Sequence, residues 1–382
     1  MSRDLGDPYQ RRRSQMLVLK RSRILALAIC ASVALGGCGN NTPSSESAPT
    51  SAAGASAGVP STNVQTSNEG PELIDVEMRL DWLFHGPNIG FIVAEAKGFY
   101  QDQGLRVNVE SGQGSGTTAQ LVANKSAMFG FADGYAVSQT IAQGADIKYV
   151  AGIYRSNPNG ITTVGETMIT EPMDLLGLQI GLPPGSSQAQ QWSAFIEGCE
   201  LDEAEVETVS IDPGAAVPAL LEGRIEALAG YVQGYAPAVE NAGKQSHSFW
   251  FTDCGVTAVS NGIIVHNDTI EGDPDLVDRF VAASIRGFLY ARENPDEAAE
   301  ILLEYSPEFQ TEVALREMEI SWDTWVPPST SGQPLGWTAE EDWIAMLEIL
   351  ATSGGVENPP APDDVFTNEF IPEGDEFVPP QP

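Results

Sequence analysis

The chain is poor in the residues that carry chemistry. Three histidines and four cysteines are scattered over 382 residues, and none falls at metal-ligand or Ser-His-Asp spacing. Basic residues are scarce as well: 19 Lys and Arg face 53 Asp and Glu, a net charge of −34. A chain of that sign lacks the basic footprint that phosphates require, which excludes nucleic acid as a partner. The most glycine-rich turn is not followed by Gly-Lys-Ser/Thr, so it is no nucleotide P-loop. The apolar run Ile24–Leu35 is too short to span a membrane as a mature helix. Nothing here calls for a cofactor or a metal.

The N-terminus reads as a processing signal. Arg11, Arg12, Arg13, Lys20, Arg21 and Arg23 precede the apolar run, which ends Leu35-Gly36-Gly37-Cys38. Residues 1–37 are the expected leader, with Met16 as a second candidate start. Residues 38–71 are dominated by Ser, Ala, Thr, Gly, Asn and Pro. Such a stretch buries too little apolar surface to offset its ordering entropy and reads as a flexible tether. Removing the leader takes away 7 basic and 2 acidic residues, leaving 12 against 51. The remaining body of about 310 residues exceeds what one core usually serves, so two lobes are expected.

Along the body, short alternating strands and amphipathic helices succeed one another, the α/β pattern. Val76, Met78 and Leu80 alternate with Glu77, Arg79 and Asp81 as a half-buried strand. The aromatic loop Asp81-Trp82-Leu83-Phe84-His85-Gly86-Pro87-Asn88 leads into a helix from about Ile89 to Tyr100. A second strand, Leu105–Val109, opens onto a glycine-rich turn with Gly114, Ser115, Gly116 and Thr117, expected to present amides and an N-cap hydroxyl. A third strand ends at Asp133, either a ligand contact or the cap of a helix opened by Gly134-Tyr135. A fourth ends at Tyr154 and Arg155, and Ile161–Val164 reads as the strand leading out of this lobe.

Strand 179–182, then Pro183-Pro184-Gly185-Ser186-Ser187 and a helix, repeats the first lobe's design. Tyr231 and Gln233 stand at the end of a later strand, and Thr257–Val265 reads as the return crossing. The expected division is 72–165 for the first part of lobe one, 166–255 for lobe two, and 256–382 for the return with C-terminal helices. Trp322, Trp325, Trp337 and Trp343 read as packing, and His247 and His266 as surface residues. Cys199 and Cys254 could form a bridge. The order of strands argues against it, because one cysteine precedes strand 206–211 and the other follows strand 248–252.

Two sets of residues carry a resemblance. The run LDW followed by AEAKGFYQDQGLRVNVESGQGSG, then DLLGLQIGLPPGSS, ALLEGRIEALAGY and FTNEF, resembles the periplasmic substrate-binding proteins of ABC importers. The branch is the one that takes up thiamine pyrimidine precursors, alkanesulfonates and nitrate. Leu35-Gly36-Gly37-Cys38 resembles a lipobox, which makes Cys38 the lipidated (palmitate-bearing) N-terminus of a membrane-anchored lipoprotein facing the periplasm or exterior. The resemblance implies a type II periplasmic-binding-protein clamp of two lobes, hinged on two crossing strands. It also implies a small-molecule ligand, a permease and ATPase complex as partners, and a monomer rather than an enzyme.

The expected ligand is a thiamine pyrimidine precursor or related heterocycle. Trp82, Tyr135, Tyr154 and Tyr231 would stack on it, and Asp81 and Asp133 would accept from its amino groups. His85, Asn88, Gly114, Ser115, Gly116, Thr117, Ser186, Ser187 and Gln233 complete the expected site. A sulfonate or nitrate is the alternative, with Arg155 as its cation. A pyrimidine synthase on the same fold, using His85, is the more distant one. The family's Thr/Asn-rich loop after the tryptophan is replaced here by Leu83-Phe84-His85-Gly86-Pro87.

Overall fold

A computed structural model describes residues 73–380 apart from Ser353, with no side-chain account of Asp323. The leader, the lipidation of Cys38 and the tether over 38–71 lie outside the described residues.

Two five-stranded sheets organise the body. The first holds β1 (Ile74–Arg79), β2 (Leu105–Glu110), β3 (Phe129–Asp133), β4 (Ile147–Gly152) and β10 (Asn261–His266), in the order β2-β1-β3-β10-β4. The second holds β5 (Asn159–Val164), β6 (Gln179–Leu182), β7 (Glu207–Ser210), β8 (Ala227–Tyr231) and β9 (Ser246–Trp250), in the order β7-β6-β8-β5-β9. Strand burial explains the sequence pattern. On β1 and β2 only alternate residues are buried, whereas β3, at the centre of its sheet, is buried throughout.

Helices cover both sheets. In chain order they are α1 (Ile89–Ala96), α2 (Phe99–Asp102), α3 (Ser115–Ala123), α4 (Gly134–Ala142), α5 (Ser187–Gln190), α6 (Trp192–Gly198), α7 (Pro213–Leu221) and α8 (Val232–Asn241). Then follow α9 (Asn267–Gly272), α10 (Pro274–Glu293), α11 (Pro295–Tyr305), α12 (Thr311–Trp322), α13 (Glu340–Thr352) and α14 (Pro362–Val365). The first core packs α1 and α10 onto β3. Phe129 stacks on Phe280 at 3.9 Å, and Phe91 meets Phe131 and Phe288 edge-on at 5.0 Å. None of the described helices is long and apolar enough to cross a membrane.

Four expectations change. The helix expected over Ile89–Tyr100 breaks at Gly98, whose φ of 75° stops α1 and restarts the chain as α2. Strand β5, expected as the exit from the first lobe, is an inner strand of the second sheet, paired with β8 and β9. The first crossing therefore falls between Gly152 and Asn159, where the Arg155–Pro158 loop, not the apolar run, changes sheets. His266 is buried, and its ring accepts from the Asp268 amide to cap α9.

The fourth change is Cys199–Cys254, which is a disulfide with Cα atoms 4.8 Å apart. The strand argument failed because the segment from Glu200 to Val206 contains a 3-10 turn at Glu203–Glu205 and carries the chain along the sheet before β7 begins. Cys199 follows α6 instead, and Phe195 of that helix stacks on Phe251 at 4.1 Å beside Cys254.

Candidate ligand-binding cleft

The loop after β1 is held by backbone on one side and a carboxyl on the other. Gly112 donates to Trp82 O at 2.8 Å, and Gly114 donates to Asp81 O at 2.7 Å. These contacts explain the glycines: a Cβ on Gly112 would sit 1.9 Å from Leu80 O. Asn88 holds the loop from within, accepting from the His85 amide and donating to Leu83 O at 3.0 Å. Opposite, the Gly86 amide donates to Glu317 of α12 at 2.8 Å.

The second sheet reaches the same place. Gly114, with φ of 126°, lies against Gly185 so closely that a Cβ would be 2.4 Å from its carbonyl. Gly116 donates to that carbonyl at 2.8 Å, a backbone bond between the two lobes. The N-cap hydroxyl expected on the first glycine-rich turn is missing, since Gly114 itself occupies the cap. Ser186 does cap its helix, accepting from the Ala189 amide.

These loops enclose a cavity of about 880 Å³, within the usual range for small-molecule sites. Of the expected residues, Asp81, Trp82, His85, Gly114, Ser115, Ser186, Ser187 and Tyr231 line it. The others stand elsewhere. Thr117 is exposed, Gly116 is held in the contact with Gly185, and Asn88 serves the loop. Tyr135 and Tyr154 are buried in two separate cores of the first lobe. Gln233 is fully buried, with neither amide atom bonded.

Asp133 is a brace rather than part of the lining. Its carboxylate accepts from the Tyr135 and Ala136 amides, from Gln191 at 3.1 Å and from Ser260 at 3.2 Å. Arg155 is turned away from the cavity. Its guanidinium donates to the carbonyls of Trp325, Pro334 and Trp337, which ties the first crossing to the C-terminal segment.

Asp81 is the most telling polar group. Only 5% exposed, it accepts from Asn261 Nδ2 at 2.8 Å through one oxygen, while Oδ1 has no partner. Burial pushes its pKa up to about 7, against the opposing effect of its hydrogen bonds. Asn261 Oδ1 in turn accepts from the Tyr231 hydroxyl, so the carboxylate of one lobe is linked to the aromatic of the other. His85 is also buried, with Nε2 unpartnered, and burial lowers its pKa to about 3, leaving it neutral. Glu317 is raised well above the carboxylate range by burial. Among the described residues no Lys or Arg lines the cavity.

Several lining residues escaped the sequence reading, including Tyr235, Tyr305, Phe309 and Glu317, as did the linking Asn261. One had a signal. On α12, Val313, Glu317 and Ser321 share a buried face at intervals of four, and a carboxyl there is out of place unless something uses it. Asn261 opens β10 between Ser260 and Gly262, where the sequence reads as a crossing rather than as a site.

Comparison with known proteins agrees with this architecture. The chain is 27% identical over 366 residues to the riboflavin-binding protein RibY of Chloroflexus aurantiacus, covering 93% of this chain and 99% of that one. It is 24% identical over 318 residues to a formylaminopyrimidine-binding protein of Halalkalibacterium halodurans, covering 81% and 94%. The solved ligand-binding component of an ABC-type import system from Staphylococcus aureus superposes with a TM-score of 0.58 at 12% identity, over 78% of this chain and 97% of that one. A model of the NMT1/THI5-like family matches residues 87–298, more than half of the chain. With two sheets in the periplasmic-binding-protein arrangement and a family match of that extent, the chain belongs to the NMT1/THI5-like family.

Proposed function

We propose that this protein is the solute-binding component of an ABC import system, held at the membrane through Cys38, and that it captures an uncharged, flat nitrogen heterocycle. The observation that carries this reading is the cavity lining: Trp82 and Tyr231 offer aromatic faces beside a buried carboxylate oxygen that lacks a donor. A ring bearing an N–H or amino group meets both needs at once. The two relatives, a riboflavin-binding and a formylaminopyrimidine-binding protein, support the same ligand class. A pyrimidine precursor of thiamine is one member of it.

The anion reading has less support. A sulfonate or nitrate wants cationic or amide donors in a dry site, yet Asp81, Glu308 and Glu317 line the cavity and Arg155 is bound to backbone carbonyls. Catalysis has no support either, since burial leaves His85 neutral and its Nε2 has no hydrogen-bond partner.

Native mass spectrometry of protein purified without refolding, followed by calorimetry with riboflavin, hydroxymethylpyrimidine, taurine and nitrate, tests the proposal. Removing the ring face in Trp82→Ala should weaken a heterocycle about 2- to 10-fold. Asp81→Asn should cost about 10-fold or more, as expected for a hydrogen bond to a charged acceptor. A ligand N–H favours the ionised carboxylate, so affinity should rise as pH passes from 6 to 8, and Asp81→Asn should flatten that rise. Tight binding of taurine or nitrate with none of a heterocycle would overturn it.

A further inference from the structure

The cavity is longer than a single ring, and its two ends differ in chemistry. Resting on the heterocycle reading, we infer that the ligand is an elongated, uncharged one, a fused or long-substituted ring system, whose second half lies in an apolar trough between α7, α8 and α12. Lining residues recur on each helix at helical intervals. Val217 and Leu221 come from α7, Gly234 and Ala238 from α8, and Val313 and Glu317 from α12, with Phe309 in the segment that precedes that helix. Intervals of four place each pair on one helix face, so three faces converge on one channel.

Length follows from α8. Tyr231 caps its N-terminus and Ala242 its C-terminus, and both line the cavity. Ten residues at 1.5 Å rise make α8, along which the lining runs, about 15 Å long. Gly234 and Ala238 keep the α8 side shallow, which makes room for a ligand of that length. The buried end is where Asp81 Oδ1 and His85 Nε2 lack partners, and it lies beside Tyr231 at the start of the helix. The polar edge of the ring system belongs there. At the Ala242 end Asn241 joins the lining, and along the cavity Glu308 is an acid with no lining Lys or Arg opposite among the described residues, so an ionised phosphate on the tail is unfavourable.

The test compares three probes on the full chain by quenching of tryptophan fluorescence. They are 4-amino-5-hydroxymethyl-2-methylpyrimidine (one ring), lumichrome (three fused rings) and riboflavin (three rings with a polyol). The three-ring probes should bind at least 10-fold tighter than the single ring. Ala238→Phe, which fills the trough, should bring the ratio of three-ring to single-ring affinity close to one. Val217→Glu, placing a charge on the opposite wall, should do the same and guards against a folding defect in the first variant. A single ring that binds as tightly as the larger probes, with a ratio unmoved by either variant, overturns the elongated ligand alone. Failure of all three ring probes, with nitrate or taurine bound, overturns the heterocycle reading beneath it.

Discussion

Asp81, the proposed ligand contact, shows what a buried carboxyl costs the fold in stability. An ionised carboxylate with one oxygen unpaired is disfavoured by burial, which is why its pKa is pushed up to about 7. A raised acid binds its proton more tightly when folded, so its contribution is complete below pH 4 and is lost as pH climbs to 7, up to about 4 kcal/mol. His85 acts in the opposite sense. Lowered to about 3, it contributes stability above the ordinary histidine range that disappears as pH falls toward 3. Asp81→Asn should therefore melt higher than the parent at pH 8 and show a shallower loss between pH 4 and 7, while binding ligand less well. Thermal melts followed by circular dichroism at pH 5 and pH 8 decide it, and a lower melting temperature at pH 8 would refute the assignment. Asp133 is also raised to about 7, so part of the slope should survive the substitution.

Among elements, the disulfide is where local order in the sequence misled and packing decided. It joins the end of α6 to the turn after β9 and closes a span of 55 residues within the second lobe. Replacing both cysteines by serine should lower stability by about 2–4 kcal/mol and make urea unfolding indifferent to reductant. An unchanged midpoint would mean the bridge is not formed. The C-terminal helices expected within 256–382 are there, and Pro274 and Pro295 with long amphipathic faces mark where α10 and α11 begin. Trp343 could be read as packing for the same reason, and it does stack on Phe366 at 5.0 Å. Strand-to-helix loops were legible as a cavity wall because glycine and serine end their strands. What could not be read was orientation. Nothing in the spacing of Tyr135, Tyr154 and Arg155 distinguishes a side chain facing a cavity from one facing a core or a carbonyl cluster. Likewise the place of β5 depends on pairing with β8 and β9, partners still distant in the chain.

Among the described residues, the two lobes form a clamp and meet in part through bare backbone. Gly114 and Gly116 touch Gly185, and side-chain links from Gln191 to Asp133 and from Tyr231 to Asn261 join the same two halves. Hinge closure of this architecture depends on that approach. Gly114→Val places a branched side chain where φ is 126° and where a Cβ already meets Gly185 O at 2.4 Å. The lobes should stay apart, with a larger radius of gyration in solution scattering and at least a 10-fold weaker affinity for the ligand. An unchanged radius with ligand present would show that the contact is dispensable. The interleaving of the two sheets also sets a timetable. Within its sheet β4 pairs with β10, its further bridges to Gly336 and Phe366 come later still, and the entire second sheet is encoded between β4 and β10. In a chain that emerges from N- to C-terminus, β4 therefore waits for its neighbour until the whole second sheet has emerged. In that interval the second lobe has all of its own strands, so the lobe that is begun first is the one completed last.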